Sequence, residues 1–185
     1  MSPSAVAQSR EPPDCEERQS GSNIQGSRSD AHLRGHSTEV TQQRELNVPT
    51  ITETAKAFFD ACETGKGWDG CAAFCRPDAS FAAQAEPLAN IKTLEEYADW
   101  MKGVLGFMPD GRYEVKSFAT DVERNNVCAF GVFSATHSGP GGPVAPTGKR
   151  TVTDYVYVMN FEGGKISHMT KIWNAPWAMK ELGWA

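Results

Sequence analysis

Apolar residues recur at helical spacing in two stretches between residues 50 and 105. The first runs from Ile51 to Cys62, and the second covers residues 93–105. A threonine opens each stretch and a glutamate follows it three residues later, which predicts a capping box at both helix starts. A shorter apolar stretch, residues 68–74, predicts a further helix between them. The pattern therefore predicts that this part of the chain is helical.

After residue 111 the pattern changes to the alternation of apolar and polar residues that is typical of β-strands. It predicts four long strands, preceded by a short strand around Phe81 and followed by a short helix after Pro176. The long strands are expected at residues 112–123, 126–137, 149–161 and 165–174. Helices followed by an antiparallel meander predict an α+β fold, a cone-shaped barrel whose curved antiparallel sheet packs on three N-terminal helices. Such a cone leaves an apolar pocket at its open end.

The first 48 residues have a different character. They include no aromatic residue and show no period in their apolar positions. Such a segment buries too little apolar surface to offset the entropy lost on ordering. We therefore predict a disordered tail over residues 1–48 and one folded domain over residues 49–185.

The composition of the chain indicates which partners are not expected and which cell compartment is favoured. The net charge is −5, with 18 basic and 23 acidic residues and no basic cluster, which argues against nucleic acid as a partner. No apolar run reaches the length that crosses a membrane. The five cysteines are odd in number and form no C-x-x-C pair, so a disulfide framework is not expected and a cytoplasmic location is favoured. The histidine spacing predicts no metal site, and no cofactor is expected.

The candidate catalytic residues lie in the predicted hairpin of residues 149–174. Asp154 lies among apolar residues, where burial raises a carboxyl pKa and makes a general base useful near neutral pH. His168 is a candidate acid/base group, and Lys171 is a candidate base or Schiff-base former if its pKa is depressed. Each has a structural alternative: an ion pair or hydrogen bond for Asp154, an ordinary strand side chain for the other two.

The register of this hairpin decides which side chains meet. A two-residue turn at Gly163-Gly164 puts Asp154 on the face of Lys171. A three-residue loop puts Asp154 on the face of His168, and it puts the tyrosines of the first strand on the face of Lys171. One residue of slip moves every side chain to the other face, and the sequence leaves both registers open.

Aromatic side chains are the candidates for lining a pocket. His137, at the end of its predicted strand, is a candidate for binding a polar group of the substrate. A helical stripe of aromatic residues is also what a plain core shows, and in a cone the core forms the pocket wall. The predicted substrate-binding residues are Phe81, Tyr97, Trp100, His137, Tyr157 and Trp173.

Four short motifs support a family resemblance. They are THSG at 136–139, APTGKR at 145–150, FEGGKI at 161–166 and IWN at 172–174. On these motifs, residues 49–174 resemble the nuclear transport factor two-like superfamily, in particular SnoaL-like polyketide cyclases. The resemblance implies a cone-shaped α+β barrel, a deep pocket and a homodimer formed through the sheet.

The chain departs from the catalytic patterns of that superfamily. An ungapped match to SnoaL-like cyclases puts Lys171 where they carry an acid/base aspartate and Met169 where they carry a histidine. A match to ketosteroid isomerases puts Ala83 near their catalytic aspartate, and the Arg/Asp/Asp set of limonene-epoxide hydrolases is not evident. The resemblance therefore implies the fold and leaves the reaction open.

Two functions of different classes follow. The first is a cofactor-free isomerase, cyclase or dehydratase that acts on a small hydrophobic, polyketide- or terpenoid-like molecule. Asp154 would be its general base, and His168 or Lys171 would orient that base or stabilise an oxyanion. The second is a non-catalytic ligand-binding or dimerisation module, which the missing family carboxylates favour.

Overall fold

The computed structural model describes residues 49–185, so the predicted tail and the domain boundary lie outside the described residues. The helices bear out the apolar pattern, with α2 continuing into a short 3-10 turn. They are α1 (Ile51–Glu63), α2 (Gly67–Cys71), α3 (Leu94–Phe107) and α4 (Ala175–Leu182). None of these helices is long and apolar enough to cross a membrane.

Both predicted capping boxes are present. The Thr50 hydroxyl accepts from the Glu53 backbone N–H at 3.2 Å, and the Glu53 carboxylate accepts from the Thr50 N–H at 2.8 Å. Thr93 and Glu96 make the same exchange at the start of α3. Each box satisfies N–H groups that a helix start leaves free. The caps fix where α1 and α3 begin, and thereby which of their side chains face the sheet.

Five strands form one curved sheet with two open edges. They are β1 (Cys75–Ala83), β2 (Arg112–Asp121), β3 (Asn126–Thr136), β4 (Arg150–Glu162) and β5 (Lys165–Trp173). The order is β1-β5-β4-β3-β2, and β2 to β5 are antiparallel neighbours as the meander predicts. The short strand β1 pairs in parallel with β5 and forms one edge. The predicted α+β fold is thus confirmed.

A β-bulge sets the register of the β4–β5 hairpin. The turn is the two-residue turn at Gly163-Gly164, because Glu162 pairs with Lys165. The register then shifts by one residue at Ser167, and beyond the bulge Tyr157 pairs with Lys171. The bulge therefore produces the face assignment that a three-residue loop would have produced: the tyrosines of β4 share the face of Lys171.

The inner face of the sheet packs on the helices and holds the core. Every second residue of β4 from Thr151 to Phe161 is buried, while Val152 and Asp154 point to the exposed outer face. Phe58 and Phe59 of α1 and Tyr97 of α3 are buried against this face. The alternation along β4 thus defines an inner side, whose side chains are buried against the helices, and an outer side, whose side chains face the solvent.

Candidate functional site

Lys171 is a buried lysine at the centre of the inner face. It lies on β5, and its side chain leaves the residue only 7% exposed. Its ammonium nitrogen lies 5.0 Å from the ring centroid of Tyr155 and 5.1 Å from that of Trp173. The rings of Tyr97, Trp100 and Tyr157 complete the surroundings at 5.2 to 5.8 Å. Aromatic faces attract a cation, yet they supply none of the hydrogen bonds that water would.

A chain of hydrogen bonds joins Lys171 to a buried carboxylate on another element. The Lys171 amine donates to the Tyr97 hydroxyl at 2.7 Å. The Tyr97 hydroxyl lies 2.5 Å from that of Tyr157, which donates in turn to the Glu63 carboxylate. Since Tyr157 donates its own proton to Glu63, the Tyr97 hydroxyl is the donor to Tyr157. The chain therefore runs from the amine to the carboxylate with every donor directed the same way.

Burial and mutual attraction have opposite effects on the pKa values of Lys171 and Glu63, the two ends of this hydrogen-bond chain. Burial lowers the pKa of Lys171 from its ordinary value, and the Glu63 charge opposes the shift. Burial raises the pKa of Glu63, and Lys171 and Tyr157 oppose that shift. Both shifts favour the neutral forms, an amine and a carboxylic acid. The four groups thus hold a proton that can reside at either end of the chain.

The pKa of each of the two linking hydroxyls, on Tyr97 and Tyr157, is raised well above its ordinary value by burial. Both phenols therefore stay protonated and serve as links between the ends. Because a phenol both accepts and donates, a proton can pass from Lys171 to Glu63 without either tyrosine becoming a stable anion.

Lys171 and Glu63 both line a cavity of about 70 Å³. One water needs roughly 10–15 Å³ on this scale, so the space suits a molecule of several heavy atoms. Most of its wall is apolar and comes from α3, β3, β5 and α4. Those apolar side chains include Met101, Val104, Phe133, Trp173, Leu182 and Trp184. We call this space the Lys171 cavity.

Tyr155 brings an unpaired donor to the same cavity. Its side chain lines the cavity, and its buried hydroxyl lies close enough to the Glu63 carboxyl to interact with it, but it meets no group among residues 49–185 at full hydrogen-bond geometry. The Glu63 charge nearby adds to burial in raising its pKa far above the ordinary value. The ring lies across Gly131 of β3, where an added Cβ would come within 2.9 Å of the hydroxyl. A buried hydroxyl without a partner is costly, and a ligand oxygen would satisfy it.

The other two predicted catalytic residues lie on the opposite face from Lys171. Asp154 is exposed and pairs with Val132. His168 is half-buried, and its ring nitrogens contact the hydroxyls of Ser80 at 2.8 Å and Thr170 at 3.0 Å. His168 pairs with a residue six positions along β4 from Asp154. The two are therefore about 20 Å apart along the strand and do not contact each other.

The predicted substrate-binding residues divide into four groups. Trp100 and Trp173 line the Lys171 cavity. Phe81 is buried behind it and stacks on Tyr97 with 4.4 Å between ring centroids. Tyr97 and Tyr157 form the hydrogen-bond chain. The last, His137, is fully buried beside Trp184, whose indole N–H donates to its Nδ1 at 3.0 Å.

Two polar residues of the site were not predicted as site residues. Glu63 lies one helical turn after Phe59, on the apolar stripe of α1 that packs on the sheet. A charged residue at such a position was the available signal for a buried partner of Lys171. Tyr155 follows from the register, because the bulge puts it on the inner face. Within residues 49–185, no three His, Cys, Asp or Glu side chains are placed to hold a metal ion.

Comparison with known proteins gives one family match. The model of the SnoaL-like domain matches residues 55–169, which include α3 and most of the sheet. Glu63 and Tyr155 fall inside the matched segment, and Lys171 lies two residues beyond it. No curated protein matches the sequence.

Solved structures share the fold at low sequence identity. AclR, a proposed hydroxylase from Streptomyces galilaeus, is 23% identical, with a TM-score of 0.60 over 73% of this chain and 82% of that one. IdmH, a proposed polyketide cyclase from Streptomyces antibioticus, is 18% identical, with a TM-score of 0.59 over 73% and 99%. An LEH-like epoxide hydrolase from M. tuberculosis is 14% identical, with a TM-score of 0.52 over 71% and 88%. These similarities show the fold alone.

Proposed function

This chain belongs to the SnoaL-like domain family, and from that premise we propose that it is an acid/base enzyme acting on a small, mostly apolar molecule in the Lys171 cavity. Lys171 and Glu63 would exchange a proton with that molecule through Tyr97 and Tyr157. The observation that carries the proposal is the lysine amine in an apolar wall, connected by two phenols to a buried carboxylate. A pair whose pKa values converge can act as either acid or base.

The size and wall of the cavity support a substrate class. The cavity suits a molecule about as large as one ring, or the ring end of a longer one. Its largely apolar wall favours hydrocarbon over charged groups, and the few polar side chains among its lining residues favour an oxygen function. The AclR and IdmH names, a proposed hydroxylase and a proposed polyketide cyclase, are consistent with such molecules. A cytoplasmic location stays a prediction.

The test uses phenylacetone, which has one ring and one ketone. We expect the protein to accelerate exchange of its α-protons in heavy water, as followed by NMR. Lys171→Met and Glu63→Gln are each expected to lower the rate about 10²- to 10⁴-fold, the usual contribution of a general acid or base. Asp154→Asn is the matched control because its side chain lies on the outer face, and it should retain the rate. Loss of the rate in Asp154→Asn alone would return the role of base to Asp154.

A second candidate function is a ligand-binding or dimerising module without catalysis. The outward position of Asp154 favours it, as does an apolar row across the outer face, formed by the exposed Phe130 and Ile172 with the half-buried Val156 between them. Binding of phenylacetone without any proton exchange would support this alternative. We also propose that the apolar row pairs two copies of the chain as a homodimer.

A further inference from the structure

The Lys171 amine has bonding capacity that the described residues leave unused. Its hydrogen bond within residues 49–185 goes to Tyr97 at 2.7 Å. A neutral amine that donates this one bond keeps a lone pair, and here the amine lines a cavity whose wall is largely apolar. A free lone pair on an amine in a largely apolar cavity is available as a nucleophile.

The unpaired hydroxyl of Tyr155 is an independent observation that points to a ligand oxygen. Tyr155 is 3% exposed, and its hydroxyl makes no well-formed hydrogen bond within the described part of the chain, although the Glu63 carboxyl lies nearby. Its ring lies on the same wall as Lys171, 5.0 Å from the amine to the ring centroid. A nucleophile and a hydrogen-bond donor in one small cavity match the carbon and the oxygen of a carbonyl group.

We propose that Lys171 forms a Schiff base with a small aldehyde or ketone bound in the Lys171 cavity, with Tyr155 donating a hydrogen bond to the carbonyl oxygen. This inference rests on the proposed function, since it specifies the substrate class of the same cavity.

Atoms and charges balance with the groups present. The starting state has a neutral Lys171 amine and a protonated Glu63. The amine nitrogen bonds to the carbonyl carbon, and a proton moves from nitrogen to oxygen, which gives a neutral carbinolamine. The C–O bond then breaks, the nitrogen lone pair forms the C=N bond, and the oxygen leaves as water with the proton from Glu63. The product is a protonated imine facing a Glu63 carboxylate.

The hydrogen-bond chain suits the last of these steps. Tyr157 and Tyr97 connect Glu63 to the Lys171 nitrogen, so the imine charge forms at the end of a chain that leads to its counter-ion. Such an imine withdraws electrons from the neighbouring carbon and makes its protons acidic. The Schiff base therefore offers a route to the α-proton exchange of the proposed function.

A carboxylate ligand fits the same cavity less well. It would bring a negative charge next to Glu63, in a place where burial already disfavours the charged form of a carboxyl group. Burial of an extra charge in an apolar wall is unfavourable unless another cation pairs with it. Lys171 is the cationic side chain among the residues that line the cavity. The charge balance thus favours a neutral carbonyl compound.

The test traps the imine with benzaldehyde and sodium cyanoborohydride at neutral pH, followed by peptide mass spectrometry. We expect one benzyl adduct on Lys171, formed at least about tenfold faster than on any exposed lysine. Each unit by which a pKa is lowered raises the neutral fraction about tenfold at neutral pH. Lys116→Arg, which removes an exposed strand lysine, should label as the wild type does. Lys171→Arg and Lys171→Met should lose the adduct, with circular dichroism to confirm that each is folded.

Benzyl alcohol separates the two proposals, because it has the shape of benzaldehyde and cannot form an imine. Saturation-transfer NMR that shows benzyl alcohol bound, together with no adduct on Lys171, overturns the Schiff base and leaves the proposed function standing. Absence of binding by benzyl alcohol and by phenylacetone overturns both. Adducts spread over exposed lysines, and equal in Lys171→Arg, also overturn the Schiff base.

Discussion

Gly131 gives the Tyr155 ring its place on the sheet. The two residues are direct neighbours across β3 and β4. A Cβ at residue 131 would come within 2.9 Å of both the ring and its hydroxyl. We expect Gly131→Ala to lower the free energy of unfolding by about 1–3 kcal/mol, the usual result of overpacking a core. Urea denaturation measures the change, and weaker phenylacetone binding should accompany it because the ring is displaced.

Gly103 is the matched control for Gly131. It lies inside α3, and a Cβ there meets no atom within 4 Å. Alanine removes backbone freedom from the unfolded chain, so Gly103→Ala should raise the free energy of unfolding by about 0.5–1 kcal/mol. Changes of the same sign in the two variants would contradict the steric explanation.

The hydroxyls of Tyr155 and Tyr157 differ in what their removal should do. Tyr157 accepts from Tyr97 and donates to Glu63, so Tyr157→Phe leaves two buried polar groups without that partner. We expect Tyr157→Phe to lower the free energy of unfolding by about 1–3 kcal/mol. The Tyr155 hydroxyl has no partner within residues 49–185, so Tyr155→Phe should be neutral or stabilising and should weaken the binding of phenylacetone. Thermal unfolding and ligand titration measure both effects. A large loss of stability in Tyr155→Phe would show that its hydroxyl is satisfied in solution.

At the scale of elements, the buried pair ties α1 to β5. Glu63→Gln or Lys171→Met alone leaves the other buried group without the partner at the far end of the hydrogen-bond chain, and we expect each to lower the free energy of unfolding by about 1–3 kcal/mol. The loss in the double variant should be about 1–3 kcal/mol smaller than the sum of the two single losses, because both residues belong to one hydrogen-bond network. The cycle is measured by urea denaturation.

The exposed ion pair between Asp60 and Lys66 is the control for this cycle. Its nitrogen and oxygen lie 3.2 Å apart, with both side chains more than half exposed. Solvent weakens such pairs, and their coupling should stay within about 1 kcal/mol. Equal coupling in the two cycles would show that the Glu63–Lys171 chain contributes no more than a surface pair.

The Glu63 charge also sets the pH range in which Lys171 reacts. Glu63 raises the pKa of Lys171, so Glu63→Gln should lower that pKa further. The pH midpoint of labelling by benzaldehyde and cyanoborohydride should therefore move to lower pH. The other titratable groups that face Lys171 have raised pKa values and stay neutral; they are Cys62 on α1, Tyr97 on α3, and Tyr155 and Tyr157 on β4. A midpoint that moves to higher pH would rule out the Glu63 charge as the cause.

Local signals in the sequence were enough to predict the helices and strands. The residues of the candidate site depend on strand register and helix packing, which join distant parts of the sequence. The capping boxes at Thr50 and Thr93 were predictable because all their atoms lie within one helical turn. The face of Lys171 was not, since it depends on one extra residue, Ser167, in a strand with no glycine or proline to mark a bulge. Glu63 and Lys171 are far apart in sequence, so their pairing follows only from the packing of α1 on the sheet.

At the scale of the whole molecule, the outer face of the sheet is the surface that the elements of residues 49–185 leave uncovered. Phe130, Val156 and Ile172 are cross-strand neighbours on β3, β4 and β5. Phe130 is 36% exposed and Ile172 is 60% exposed. A contiguous apolar row on an open sheet typically marks a protein–protein interface. Because a two-fold axis pairs a patch with itself, one row suffices for a homodimer.

We expect Phe130→Lys to shift the protein from dimer to monomer in sedimentation velocity, because two copies would bring like charges together in an apolar interface. Val122→Lys is the matched control, since Val122 is 74% exposed in the β2–β3 turn, away from that row. It should sediment as the wild type does. A wild type that is monomeric across the accessible concentrations would contradict the homodimer and leave the Lys171 cavity, on the opposite face, unaffected. If Phe130→Lys is monomeric and still exchanges the α-protons of phenylacetone, each subunit holds a complete site.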